Sequence, residues 1–128
     1  MARCTWREAA FLLTLAALPA HAAVDGGYTL EIFNTDDSAV AYVNGRKVLT
    51  CGYRKSCAKG IDPYLRSGRN TVRIEFSNKS SGYSWGYALK RDGKQVARGS
   101  CGKAGRQSCG PGTPEGVYKT VVRRLEID

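Results

Sequence analysis

The sequence predicts an all-β protein, a sandwich or barrel of about seven or eight short strands that follows a removable leader. Three observations carry this. Runs of alternating apolar and polar residues recur every 8–12 residues or so, with turn chemistry between them. Two dipeptides that favour tight hairpins, Asn44-Gly45 and Asp92-Gly93, fall between such runs. No stretch beyond residue 22 carries the apolar period of a helix.

The leader comes first. Arg3 and Arg7 make a positive start, Ala9 to Ala20 is apolar, and Ala20-His21-Ala22 is a small-x-small cleavage site. This is the build of a secretory signal peptide over residues 1–22, and its apolar run falls short of the ~20 residues of a transmembrane helix. Cleavage after Ala22 leaves one domain, residues 23–128, secreted or periplasmic, with no transmembrane segment expected.

Tyr28 to Phe33 alternates, with Tyr28, Leu30 and Ile32 on one face of a half-buried strand. The cluster Asn34 to Ser38 ends it. Ala39 to Val43 and Arg46 to Thr50 are the arms of a hairpin around Asn44-Gly45, whose two central residues accept positive φ cheaply. Cys51 to Cys57 is a loop, and Lys59 to Leu65 leads through Pro63 to a turn at Arg66 to Arg69. Asn70 to Ser77 is the cleanest strand, with Val72, Ile74 and Phe76 inward and Thr71, Arg73 and Glu75 outward. A one-residue slip there would bury Arg73 and Glu75, so the register is well specified. Tyr83 to Lys90 and Gln95 to Arg98 form a second hairpin around Asp92-Gly93. Gly99 to Gly116 is a glycine-rich segment, and Val117 to Ile127 is a last strand whose pattern Arg123 and Arg124 blur. Asn78-Lys79-Ser80 fits the N-glycosylation pattern, which is short enough to occur by chance.

Four cysteines remain after the leader: Cys51, Cys57, Cys101 and Cys109. An even number in an oxidising compartment points to disulfides. The local pairing, Cys51–Cys57 with Cys101–Cys109, is favoured because each pair brackets a single loop. Each bridge would stabilise by about 2–3 kcal/mol. A zinc site has little support, since there is no CxxC and the one histidine, His21, lies in the leader. Asp36 and Asp37 offer carboxylates to calcium without a fuller ligand set, so they are read as a solvated turn. No cofactor or metal is expected.

The chain holds 20 Lys and Arg against 11 Asp and Glu. Arg3, Arg7 and Glu8 leave with the leader, so the remaining 18 basic and 10 acidic groups give a net charge of +8. Such a balance favours acidic partners. The cations come as scattered pairs, such as Arg46-Lys47, Arg54-Lys55, Lys90-Arg91 and Arg123-Arg124. They make no dedicated stripe, which argues against nucleic acid as the partner.

Val43-Asn44-Gly45-Arg46-Lys47-Val48, then Gly60-Ile61-Asp62-Pro63-Tyr64-Leu65, then Gly68-Arg69-Asn70-Thr71-Val72 resembles the signature of galactose-binding-like jelly rolls. It is most similar to the sugar-binding-like domain at the N-terminus of family 2 glycoside hydrolases. Ser81 to Lys90 with Asp92-Gly93 extends the likeness, which spans Tyr28 to Val96. Residues after Gly99 depart from it, and both cysteine loops are additions. The resemblance implies a β-sandwich jelly roll and a sugar-binding or accessory role. The motif itself is structural: Asn44-Gly45 turns a hairpin, Asp62 can accept backbone hydrogen bonds in the turn before Tyr64, and Gly68 and Asn70 shape the turn into the long strand.

No nucleophile–base pair is visible, so no enzymatic activity is expected. The candidate binding residues form two groups. Tyr83, Trp85 and Tyr87 alternate and would share one strand face, as core or as a platform for a sugar ring. Tyr53, Arg54 and Lys55 stand at the tip of the first cysteine loop, where they could hold an acidic sugar or a phosphate. The expected function is a non-catalytic binding module for carbohydrate, acidic glycan included. The alternative is a protein-interaction module for an acidic protein: an inhibitor, an immunity-like factor or an envelope-complex subunit.

Overall fold

A computed structural model describes residues 27–79, 82–112 and 114–128. The expected leader lies outside the described residues. Among the described residues eight strands form two four-stranded antiparallel sheets: β1 (Tyr28–Phe33), β2 (Ser38–Val43), β3 (Arg46–Cys51), β4 (Cys57–Gly60), β5 (Gly68–Asn78), β6 (Trp85–Arg91), β7 (Lys94–Cys101) and β8 (Gly116–Ile127). One sheet runs β4-β1-β6-β7 and the other β3-β2-β5-β8. No helix among the described residues is long and apolar enough to cross a membrane.

The strand pairs β2–β3, β1–β4, β5–β8 and β6–β7 are those of a jelly roll, a ribbon of nested antiparallel pairs wrapped round a sandwich. The nesting closes when the strands are read from β7 through β8 to β1 and on to β6. Among the described residues the strand order is that winding entered at a different strand, with β7 and β8 in its first two places.

Alternation dictates the core. Tyr28, Leu30 and Ile32 of β1 are buried against Ala39, Ala41 and Val43 of β2 and Val72, Ile74 and Phe76 of β5. Each large apolar side chain buried this way contributes about 1.5–3 kcal/mol. Leu89 and Tyr87 of β6 join them. Both predicted hairpins take positive φ at both central residues: 51° and 80° at Asn44-Gly45, 51° and 78° at Asp92-Gly93. Several elements depart from expectation. Cys57–Gly60 is a strand paired with β1, where a loop and lead-in are expected, and its exposed residues carry no apolar alternation to reveal it. The second hairpin is also longer on its return, since β7 reaches Cys101.

Register divides the molecule into two poles. At one lie the Asn44-Gly45 and Asp92-Gly93 hairpins, a 3-10 turn (Asp62–Tyr64), the Arg66–Gly68 turn and the start of β1. At the other lie the β1–β2, β3–β4, β5–β6 and β7–β8 connections. The first pole is tied by two asparagines. Asn70, fully buried, accepts at Oδ1 from Asn44 Nδ2 (2.8 Å) and from the Arg66 amide (2.9 Å), and donates from Nδ2 to the Arg66 and Gly68 carbonyls (2.7 and 3.0 Å). Asn44 in turn donates to the Tyr64 carbonyl (3.1 Å) and accepts from the Thr71 amide (3.0 Å). Asp62 accepts from the Tyr28 amide (2.9 Å) at the start of β1, so its carboxylate reaches across to another strand rather than closing its own turn as expected.

The sandwich has two unlike sides. On one, the edge strands β3 and β4 are joined by Cys51–Cys57, with Cα atoms 5.8 Å apart. On the other, β7 and β8 face each other across an open seam. The second bridge, Cys101–Cys109, has Cα atoms 5.2 Å apart and closes the base of the β7–β8 connection. Both pairings are the local ones. Asn78 is buried and its Nδ2 donates to the Pro114 carbonyl (2.8 Å), so its carboxamide is engaged inside the fold.

Asn70→Ala removes one buried carboxamide and orphans the groups that meet it. It is expected to cost about 3 kcal/mol, read as a lowered urea midpoint at unchanged slope. A loss under about 0.5 kcal/mol, the size of an ordinary surface substitution, would contradict this role.

Candidate binding site

The two cysteine loops meet at the loop pole. In the first, Lys55 N–H donates to the Gly52 carbonyl (3.2 Å), and Arg54, at φ 50°, donates its amide to the Thr35 carbonyl (3.0 Å). That second bond ties the loop to the β1–β2 connection. In the other, Lys103 and Gln107 exchange backbone bonds of 2.8 and 2.9 Å and fold the loop into a small hairpin whose tip is Gly105. Gly105 is required by contact as well as by its φ of 69°: a Cβ there would stand 2.8 Å from Arg54 Cζ. The guanidinium of one loop thus lies against the backbone of the other. The β5–β6 connection completes the pole, with the Tyr83 carbonyl accepting from the Cys109 amide (2.8 Å) and Ser84 Oγ donating to the Asn34 carbonyl (2.7 Å).

Between these loops is a cavity of about 250 Å³, lined by Arg54, Lys103, Arg106, Gln107, Tyr83 and Asp36, among others. Its charge is unbalanced. Among the described residues, no carboxylate comes within salt-bridge distance of Arg54, Lys103 or Arg106; the ion pairs found are Arg73–Glu75 and Lys90–Glu31. Burial, then the neighbouring Asp37 charge, raises the Asp36 carboxyl above its ordinary pKa of 3.8, and Arg54 partly offsets this. Asp37 accepts from the Lys79 amide. Tyr118 hydroxyl donates to the Ser84 carbonyl, and its ring packs on Tyr83 at 5.0 Å. Burial first, and then the Asp36 and Asp37 charges, push its pKa far up, so it stays a neutral donor.

The predicted residues separate into two places. Tyr53, Arg54 and Lys55 are exposed at the loop pole, Tyr53 at 57 %, with the Arg54 guanidinium 4.9 Å from its ring. Tyr83 joins them but precedes β6. Trp85 and Tyr87 do share a face, stacked at 6.5 Å, but it is the inner face. Tyr87 is 1 % exposed and Trp85 is half-buried against Phe76 (6.0 Å). The three rings therefore do not form one exposed platform. Lys103, Arg106 and Gln107 were not singled out in the sequence; their signal was the bridged, cationic loop that holds them.

The arrangement offers cations, amides and hydroxyls to a ligand. No three His, Cys, Asp or Glu come together among the described residues, so Asp36 and Asp37 have no third ligand near them. A hollow of about 350 Å³ on the outer face of the β4-β1-β6-β7 sheet is less well equipped. There Arg98 lies over Phe33 (4.7 Å) and Glu31 is paired with Lys90 (2.6 Å). Compared with family models, curated proteins and solved structures, the chain matches none of them.

Asp36 generates a pH prediction. A carboxyl whose pKa is higher folded than unfolded destabilises the fold when ionised, and the cost lifts as pH falls through the raised value towards 3.8. Asp36→Asn is expected to melt higher than the unaltered protein at pH 7, with the gap closing by about pH 4. A lower melting temperature for the variant at pH 7 would show that the carboxylate is needed in its charged form.

Proposed function

We propose that this protein is a secreted or periplasmic, non-catalytic binding module of galactose-binding-like type that holds an acidic carbohydrate at its loop pole. The observation that carries the reading is the trio Arg54, Lys103 and Arg106 around one polar cavity without ion-pair partners. Guanidinium and ammonium groups held by bridged loops are pre-ordered donors for a carboxylate or sulfate, and charge-assisted bonds are the stronger class. At about 250 Å³ the cavity is smaller than drug-sized pockets of ~300–1,000 Å³, which suits one sugar unit or its charged substituent. The two disulfides fit an oxidising compartment.

An acidic protein partner is a second reading, favoured by Tyr53. An exposed tyrosine beside an arginine on a stapled loop has the residue chemistry of an interface hot spot. Such a partner would be held by Tyr53 and would not be displaced by glycans.

Calorimetric titration with oligogalacturonate and with a neutral oligosaccharide of equal length tests the first reading. Binding of the acidic ligand alone is expected, weakened about tenfold by Arg54→Ala and further by Lys103→Ala with Arg106→Ala. Equal affinity for the neutral ligand, or undiminished binding by the triple variant, would overturn it.

A further inference from the structure

The open seam between β7 and β8 carries cations where a sandwich edge should carry apolar side chains. The register of β8 on β5 sets Lys119 opposite Phe76, Val121 opposite Ile74 and Arg123 opposite Val72. Since Phe76, Ile74 and Val72 point inward, so do Lys119 and Arg123. Lys119 Nζ lies 4.7 Å from the Trp85 ring, and the Arg123 guanidinium 5.6 Å from the Tyr87 ring. Arg123 Nε donates to Tyr87 Oη at 2.5 Å, which leaves its terminal nitrogens for another partner. No carboxylate pairs with either cation among the described residues.

Opposite them β7 presents Gly99, where a Cβ would stand 2.8 Å from Tyr87 and 3.1 Å from Trp85. That missing side chain lets the two rings lie against the β7 backbone, and a cleft of about 180 Å³ is floored by the rings and flanked by the two cations.

The cleft adjoins the loop pole through two pairs of chain neighbours. Ser84 lines the loop cavity and Trp85 the seam. Tyr118 donates to the Ser84 carbonyl and packs at a tilt on Tyr83, while Lys119 covers Trp85. Along β8 the two cations are about 13 Å apart, four strand steps. One monosaccharide does not reach both, but an extended chain with acidic groups at intervals does.

We infer that the seam is a second anion subsite continuous with the loop cavity, and that the ligand is a linear glycan bearing carboxylate or sulfate groups on successive units. This rests on the acidic-carbohydrate reading above and specifies its length and direction: from Arg54, Lys103 and Arg106 past Tyr118 to Lys119 and Arg123.

The test compares oligogalacturonates of two and six units, with sulfated oligosaccharides of the same lengths as a second arm. Trp85 is the one tryptophan beyond the leader, so its emission reports the seam directly. The six-unit ligand is expected to shift that emission and the two-unit ligand to leave it unmoved. In Lys119→Gln with Arg123→Gln, the ratio of six-unit to two-unit affinity should fall about tenfold. Lys119→Gln alone, which keeps the Arg123–Tyr87 bond, should lower that ratio by a smaller factor. The arm that binds tells carboxylate from sulfate. An unchanged ratio, with or without new self-association, would overturn the second subsite and assign the cations to guarding a sheet edge. Failure of the unaltered protein to bind any acidic ligand of either length would overturn both this inference and the reading beneath it.

Discussion

Asn70 is the constraint on which the rest of the structure depends. A carboxamide sealed from water must satisfy two donor and two acceptor positions, and it does so with Asn44, Arg66 and Gly68. Those partners belong to the β2–β3 hairpin and to the turn that launches β5. The bond set therefore fixes where the longest inner strand begins relative to the tightest hairpin. Because β5 pairs with both β2 and β8, its starting point sets the register of a whole sheet. A half-satisfied network would be worse than an apolar plug, so the arrangement forms complete or fails.

From that pole the architecture follows a division of labour. Tight turns with short polar side chains hold one end, and the strands carry the register along the sandwich. The other end is left to connections whose turns are tied to one another rather than to the strands they join. There, order comes from two disulfides and from contacts between loops, above all the Arg54 guanidinium laid on Gly105. The sides divide likewise. A covalent link closes β3 to β4, while β7 and β8 stay apart over Trp85 and Tyr87. The proposed ligand path occupies the parts that the frame does not need, the loop pole and the open seam.

Much of the frame was legible because its forces are local. The alternation of β1 and β5, both Asn/Asp-Gly hairpins and the cysteine pairs all follow from neighbours in the chain. What was hidden is non-local. Cys57–Gly60 shows no strand pattern, since its pairing with β1 comes from the bridge and from register. Asp62 could be read as a turn acceptor, but its partner is the Tyr28 amide, 34 residues away. The aromatic alternation at 83, 85 and 87 breaks because β6 begins only at Trp85. The blurred pattern of β8 has two physical causes: a register shift at Phe76/Ser77, and inward positions filled by Lys119 and Arg123 at an open edge. A sequence reader takes such charges as noise in a core stripe. In the fold they are the feature that distinguishes this edge from its stapled counterpart.

In the proposed function, acidic ligands are held at the loop pole, away from the asparagine-locked end. Backbone amide shifts of the labelled protein during titration with oligogalacturonate test it most directly. The largest changes are expected at Arg54, Tyr83, Ser84 and Lys103 to Ser108, with Asn44, Asn70 and Asp92 undisturbed. Changes centred instead on Phe33, Ala58 and Arg98, on the outer face of the β4-β1-β6-β7 sheet, would contradict it.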